Sequence, residues 1–354
     1  MPFRIIRNDI TKVKADAIVN TANPNPVIGS GTDSAIYNAA GKDALLAERK
    51  KIGKIAPGDA AYTQAFGLNA KYIIHTVGPS WVGGNHREED ILRSCYDNSL
   101  TLAYKLKCKS IAFPLIATGI YGFPKDRALK TALSVIADFL LTHDMKIIIV
   151  VFDRNSFELS SSIVGDIEQY IGDHEVAAAF DEEYSRSGNA RRRFIEEERR
   201  RVSNRLEKLS NSEENESDTL CTYASTFPDI SGKTLDEVIE KTGGSFKEKL
   251  FELINKSGMD DVTVYKKANI DRKVFSSIKC KKDYKPKKTT AVAFAIALQL
   301  DMTEMTDLLA RAGIALSPSD KFDLIISYFV TNKKYDIFEI NAVLFKYHLP
   351  TIGC

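Results

Sequence analysis

Two segments of this chain place glycines, small polar residues and a carboxylate where a strand hands over to a helix. In the first, a β-branched run ending at Val19 is followed by Asn20-Thr21-Ala22-Asn23, then Gly29-Ser30-Gly31, then Asp33 at the start of a helical stretch. Glycine lets backbone N–H groups come close to a ligand, and a helix N-terminus carries partial positive charge, so such a loop suits a phosphate. The second segment, Ala117-Thr118-Gly119-Ile120-Tyr121-Gly122, again lies between a strand and a helix, with Pro124 suited to the first helical turn. Two anion-cradling loops on one sheet edge suggest a diphosphate. A carboxylate beside a diphosphate would repel it unless it performs chemistry or binds another group, which singles out Asp33. The run from Gly29 to Ser34 approaches the dinucleotide fingerprint GxGxxG, but the connection from Val19 to Gly29 is longer than the tight turn that fingerprint requires.

The elements that must carry these loops are short. Phe3 to Arg7, Ala17 to Val19, Ala61 to Thr63, Tyr72 to Val77, Ser110 to Phe113 and Lys146 to Phe152 read as strands. Asp33 to Lys51, Glu88 to Lys107 and Lys125 to Thr142 carry apolar residues at helical spacing. Strands alternating with helices of this length predict an α/β sandwich on a largely parallel sheet, which puts both loops at the carboxyl ends of strands. His75, inside an apolar strand, reads as a hydrogen-bonded core residue. Tyr121 reads as a pocket wall.

Five motifs in order resemble a macro domain: Asn8-Asp9-Ile10-Thr11, Val19 to Asn23, Gly29 to Ile36, Tyr72 to Pro79, and Pro114 to Pro124. Together they cover slightly under half of the chain. The resemblance implies a three-layer α/β/α fold on a mixed, largely parallel sheet, and an ADP-ribose pocket. It implies that Asp9 accepts from the adenine amino group with the Ile10 backbone beside it, and that Phe152 packs on the adenine ring. Gly29, Ser30 and Gly31, with Ala117, Thr118, Gly119, Ile120 and Tyr121, would hold the diphosphate. Asn23 and Asp33, ten residues apart, match the pair that the hydrolytic MacroD-like branch sets around the distal ribose; Asn20 would order that loop or contact the same ribose. Asn23, Asp33 and Asn20 are thus the catalytic candidates, for hydrolysis of O-acyl-ADP-ribose or of mono-ADP-ribosyl-carboxylate linkages. The alternatives are a reader of ADP-ribose without catalysis and a DNA-binding regulator that senses such a metabolite. This chain departs from the family pattern at Asn8, Thr21, Ser30, Ser34 and Ala117; Ser30 and Ser34 add Cβ atoms where backbone approaches phosphate. No cofactor or metal is implied.

The rest of the chain has another texture. Residues 1–160 are expected to form the macro domain, 161–228 a helical spacer and flexible charged linker, and 229–354 a separate all-α domain resembling the helix-turn-helix of phage-repressor-type regulators. Within the last, Val264 to Lys279 reads as helix, turn, helix, with Asn269 where the turn takes a left-handed residue. Ala291 to Leu298 is apolar all round, as a central buried helix should be. Between Lys266 and Lys288 there are ten Lys/Arg against two Asp. Residues 264–288 are therefore a candidate DNA-binding surface, and the last helices a candidate surface for a protein partner or self-association.

Composition sets the outer bounds. With 354 residues, two domains are expected. No apolar run approaches the roughly 18 residues that span a bilayer, and Met1 to Arg7 lacks a signal-peptide layout, so no membrane role and a cytoplasmic setting are expected. Five scattered cysteines without a CxxC pair argue against a disulfide framework or a structural zinc site. The net charge of +2 averages unlike parts: +5 up to residue 160, −6 from 161 to 228, and +3 beyond.

Overall fold

A computed structural model of the chain describes residues 2–152, 164–172, 244–281 and 284–353. The chain divides into two compact units, one built on a sheet and one of helices. The expected linker, apart from 164–172, lies outside the described residues.

The first unit has six strands: β1 (Phe3–Arg7), β2 (Ala17–Thr21), β3 (Ala60–Gln64), β4 (Tyr72–Thr76), β5 (Ser110–Phe113) and β6 (Lys146–Val151). Their order across the sheet is β1-β6-β5-β2-β4-β3, and every pairing is parallel except β3 with β4. The sequence explains both patterns. After Lys146, the run Ile-Ile-Ile-Val-Val of β6 is buried throughout, as a parallel strand covered on both faces must be. At the antiparallel edge, β3 leaves Tyr62 exposed and buries Thr63.

Helices cover both faces. From α1 (Thr32–Ala40) and α2 (Lys42–Ile52), the side chains of Ile36, Tyr37, Ala40 and Leu45 join Ile18, Ile73, Ala112 and Ile148 of the sheet in one core. On the other face α3 (Glu88–Lys105) and α4 (Lys125–Thr142) pack together, with Tyr96 of α3 against Phe113 of β5 at 5.2 Å between ring centroids. The single helix expected from Asp33 to Lys51 is two: Gly41 has a φ of 104°, which breaks the helical path between α1 and α2.

Beyond the sheet the described chain is helical. Residues 164–172 form α5. Then come α6 (Phe246–Ser257), α7 (Asp261–Lys267), α8 (Arg272–Cys280), α9 (Lys288–Ala297), α10 (Met302–Ala310), α11 (Lys321–Thr331) and α12 (Ile337–Lys346). Ser245 and Glu248 form a capping box that starts α6. Every residue from Thr290 to Ala297 is buried, so α9 is the central helix its composition requires. Asn269 takes φ 53° in the turn between α7 and α8, and Asp271 caps α8 by accepting from the Lys273 N–H at 2.8 Å. Phe275 of α8 packs among Tyr265, Phe251 and Phe294.

Candidate functional site

The carboxyl ends of the five mutually parallel strands share one edge of the sheet. Along it lie Asp9 and Ile10 after β1, Phe152 after β6, Ala117 to Tyr121 after β5, and Asn20 to Asp33 at and beyond the end of β2. β2 leads through α1 and α2 to β3 on one side, whereas β5 leads through α4 to β6 on the other. Adjacent strands whose connections diverge leave a crevice between their loops, and both glycine loops border it. Three interstrand spacings separate β1 from β2, roughly 14 Å at about 4.8 Å each. The edge can therefore hold an elongated ligand.

At the β2 end, strand register builds a buried polar chain. Asn20 and His75 are direct partners across β2 and β4, two residues on from the core pair Ile18 and Ile73, so the twofold alternation turns both toward α1. Asn20 Nδ2 donates to Asp33 Oδ1 at 2.6 Å and lies 3.2 Å from His75 Nδ1. His75 Nε2 is 3.0 Å from Thr63 Oγ1. A carboxylate oxygen can only accept, which fixes the orientation of the Asn20 amide; His75 Nδ1 then accepts, and its ring proton sits on Nε2, donating to Thr63. That orientation leaves the buried Asn20 Oδ1 without a donor, at a cost of about 1–3 kcal/mol. Burial drives the His75 pKa down to about 3, with the charge of Arg49 adding to the effect, so the ring is neutral.

Asp33 is 3% exposed, and its Oδ2 accepts from the Gly29 N–H at 2.5 Å. Burial raises the pKa of its carboxyl above the usual range, against the pull of Gly29, Asn20 and Arg49. Gly29 is also the neighbour of Asn23: a Cβ there would stand 2.7 Å from Asn23 Nδ2 and 3.1 Å from Asp33 Oδ2. The two candidates ten residues apart thus meet across one glycine. Asn20 is fully buried behind them, so its amide reaches the crevice only through Asp33.

Arg49 secures this end. Its guanidinium donates to the Asn23 carbonyl at 3.2 Å, to the Pro24 carbonyl at 3.3 Å and to the Gly53 carbonyl. In the sequence Arg49 hides among Glu48, Lys50 and Lys51. Its signal was its spacing, one turn after the buried Leu45 on the inner face of α2.

In the second loop, Ala117 holds φ 65° and Gly122 the same, while Thr118 Oγ1 donates to the Leu115 carbonyl at 3.0 Å. Gly119 and Ile120 are exposed and Tyr121 is half-buried. In the first loop, Ser30 and Gly31 are exposed, and Ser34 Oγ donates to the Gly31 carbonyl at 3.4 Å. At the far end, Asp9 Oδ1 accepts from Thr11 Oγ1 at 2.7 Å and from its N–H at 2.9 Å, and these donors hold its carboxyl below the usual range. Phe152 is 72% exposed just beyond β6, and Ile10 is buried. The structure thus brings Asn20, Asn23, Gly29 and Asp33 into contact, and sets Asp9, Ile10 and Phe152 apart from them along the edge. Glu88 had no role in the sequence reading: it accepts from the N–H groups of Val82, Gly84 and His86 and so ties down the loop before α3. Trp81, placed in that loop, donates its backbone N–H to the Tyr121 carbonyl at 2.8 Å.

The Macro domain family model matches residues 19–132. A macro domain-containing protein of Methanosarcina mazei is 46% identical over 156 residues, spanning 44% of this chain and 83% of that protein. A protein of Cronobacter sakazakii named O-acetyl-ADP-ribose deacetylase is 40% identical over 176 residues, spanning 48% of this chain and 97% of its own. Among solved structures, the Oceanobacillus iheyensis macrodomain with ADP aligns at 37% identity and a TM-score of 0.42, over 44% of this chain and 85% of that one. With nearly half of its residues matched and most of each relative covered, this chain belongs to the macro domain family.

Proposed function

We propose that the first unit binds ADP-ribose along the carboxyl edge of its sheet and hydrolyses O-acyl-ADP-ribose or mono-ADP-ribosyl-carboxylate esters. The observation that carries this reading is the meeting of Asn23 and Asp33 at Gly29, at the end of the crevice bordered by both anion-cradling loops. The identity with the Cronobacter protein supports the same reaction class. Asp9 and the Ile10 backbone take the adenine, with Phe152 against its ring. Gly29, Ser30 and Gly31 face one side of the diphosphate, and Ala117 to Tyr121 the other. Asn23 holds hydroxyls of the distal ribose. Asp33 accepts a proton from a water whose oxygen adds to the ester carbonyl carbon; the C–O bond to the ribose breaks, and the ribose oxygen takes up a proton. A raised pKa brings this carboxylate closer to the working pH and makes it a better base. Asn20, held by His75, aims the carboxylate.

The test is calorimetric titration of the full chain with ADP-ribose, followed by turnover of O-acetyl-ADP-ribose. Asn23→Ala combined with Asp33→Ala should abolish turnover. Equal turnover by wild type and this double variant would refute the assignment. Binding of ADP-ribose without turnover of any ester would leave a reader.

For the second unit we infer a nucleic-acid surface on α8 and the segment after it, in a helix-turn-helix-like domain occupying 229–354. Arg272, Lys273, Lys281, Lys285 and Lys287 are exposed. Asp271, at the start of α8, has its carboxylate engaged at the helix N-cap. Part of the basic cluster is already spoken for: Lys279 pairs with Asp261 at 2.8 Å and Lys288 with Asp323 at 2.5 Å. Duplex DNA titrated at several salt concentrations should show affinity falling steeply with salt. No binding at low salt would refute the reading and leave a protein-docking or self-associating module, which light scattering would report.

A further inference from the structure

Between Pro24 of the first loop and Tyr121 of the second the structure holds a cavity of about 200 Å³ that none of the roles above uses. Two of its walls adjoin the site. Pro24 directly follows Asn23, and Tyr121 ends the second anion loop. The Tyr121 hydroxyl, raised in pKa first by burial, also feels the charge of Asp33. The cavity therefore opens next to the reacting end of the crevice and away from the adenine end.

Val77, Pro79, Val82 and Ile91 give it apolar walls, and Ser80 and His86 line it as well. They are held in place. Trp81, whose backbone N–H donates to the Tyr121 carbonyl, packs edge-on against Phe123 at 4.8 Å between centroids and carries the Arg127 guanidinium over its ring at 4.9 Å. Glu88 also lines the cavity. Burial would raise its pKa, but the N–H groups of His86, Gly84 and Val82 hold it at about 2, so it is a fixed negative charge.

We propose that this cavity receives the acyl group carried on the distal ribose and selects short, uncharged aliphatic acyl groups over acidic ones. The proposal rests on the ester-hydrolase reading above. The size fits: at about 30 Å³ for each water's share of liquid volume, the space is worth roughly seven waters, which accommodates the three to five heavy atoms of an acetyl, propionyl or butyryl group. The charge discriminates: a succinyl group of similar length brings a second carboxylate toward Glu88, and no Lys or Arg is among the lining residues to pair with it. The reaction is hydrolysis throughout. Water supplies the oxygen added to the acyl carbon, the ester C–O bond breaks, and the products are a carboxylic acid and ADP-ribose.

The experiment measures kcat/KM of the full chain on O-acetyl-, O-propionyl-, O-butyryl- and O-succinyl-ADP-ribose, with ADP-ribose affinity measured in parallel. In the wild type, the butyryl ester should stay within about tenfold of the acetyl ester, and the succinyl ester should fall more than tenfold below the butyryl. Filling the cavity by Val82→Trp, at an exposed position, or by Ile91→Phe should lower the butyryl-to-acetyl ratio about tenfold or more, the usual worth of a methylene that no longer fits. ADP-ribose affinity should hold in both variants. Equal kcat/KM for butyryl and succinyl esters, or a ratio unmoved in both filled variants, would overturn the role of the cavity while leaving the hydrolase reading intact. Turnover of no ester, with ADP-ribose still bound, would overturn the hydrolase reading and this proposal with it.

Discussion

Gly29→Ala is the sharpest perturbation this site offers, because it touches both members of the Asn23–Asp33 pair and little else. A Cβ on Gly29 stands 2.7 Å from Asn23 Nδ2 and 3.1 Å from Asp33 Oδ2, whereas ordinary contact begins near 3.4 Å. Asn23 must therefore retreat by about 0.7 Å and Asp33 by about 0.3 Å, the differences between those distances. Misplacement by about 1 Å can cost a hundredfold in rate, so this shift should lower kcat/KM by about ten- to a hundredfold, or 1.4–2.7 kcal/mol of transition-state stabilisation. Stability should hardly follow. Gly29 lies outside the left-handed region, so alanine can adopt its backbone conformation, and the lost freedom of the unfolded chain offsets part of the contact strain by about 0.4–1 kcal/mol. Gly31→Ala is the control with the opposite profile: it meets nothing within 4 Å, but its φ of 60° with ψ of −128° penalises any side chain by about 1–3 kcal/mol. Turnover of O-acetyl-ADP-ribose and urea denaturation of both variants decide the matter. Wild-type kcat/KM in Gly29→Ala would refute the argument that Asn23 and Asp33 work as a pair set by this glycine.

Three further outcomes follow from the buried groups at this end of the site. His75 is held near a pKa of about 3 against about 6.5 unfolded, so the unfolded chain binds more protons between those values and stability falls with pH; from pH 7 to pH 5 the loss should be about 2 kcal/mol. Denaturation of His75→Gln should lack this component, and an equal pH dependence in the two proteins would count against the neutral buried ring. Asp33 has the opposite sign. Its raised pKa lets the folded state keep its proton to higher pH, so its contribution to stability is complete below the ordinary carboxylate range and is lost as pH rises through the raised value, while turnover requires the ionised form. The acid limb of kcat/KM should therefore lie above that of an exposed Asp; a rate constant down to pH 4 would exclude Asp33 as the base. Replacing Arg49 by Leu removes the guanidinium from the carbonyls of Asn23, Pro24 and Gly53, of which Pro24 keeps the Ile55 N–H at 2.9 Å, and should cost about 2–3 kcal/mol by urea denaturation, with weaker ADP-ribose binding in calorimetry; unchanged affinity would show that the loop keeps its shape without it.

Part of this molecule was legible before folding because its signals are local. The strand spans, the glycine loops, the helices from Phe246 onward and the left-handed turn at Asn269 each depend on a few neighbouring residues: β-branched runs, Cβ-free positions, apolar spacing of 3.6, and a side chain that tolerates positive φ. The break of the first long helix at Gly41 was less plain, since a glycine in a helical pattern can also be carried through. Asn23 and Asp33 could be paired in advance only through the family resemblance.

What the tertiary structure alone decided is which distant groups share a boundary. Thr63, His75, Asn20 and Asp33 lie on three strands and a helix, and they touch because strand register places Asn20 opposite His75 and alternation turns both toward α1. Arg49 looked like one more surface charge until the sheet put the inner face of α2 against the Asn23–Pro24 turn. The cavity beside Tyr121 depends on Trp81, Glu88 and Ile91, whose types carry no mark of a pocket. Burial, orientation and charge proximity are properties of pairs of residues far apart in the chain, so they exist only once the chain has closed on itself; local residue patterns set the elements and the loops they present.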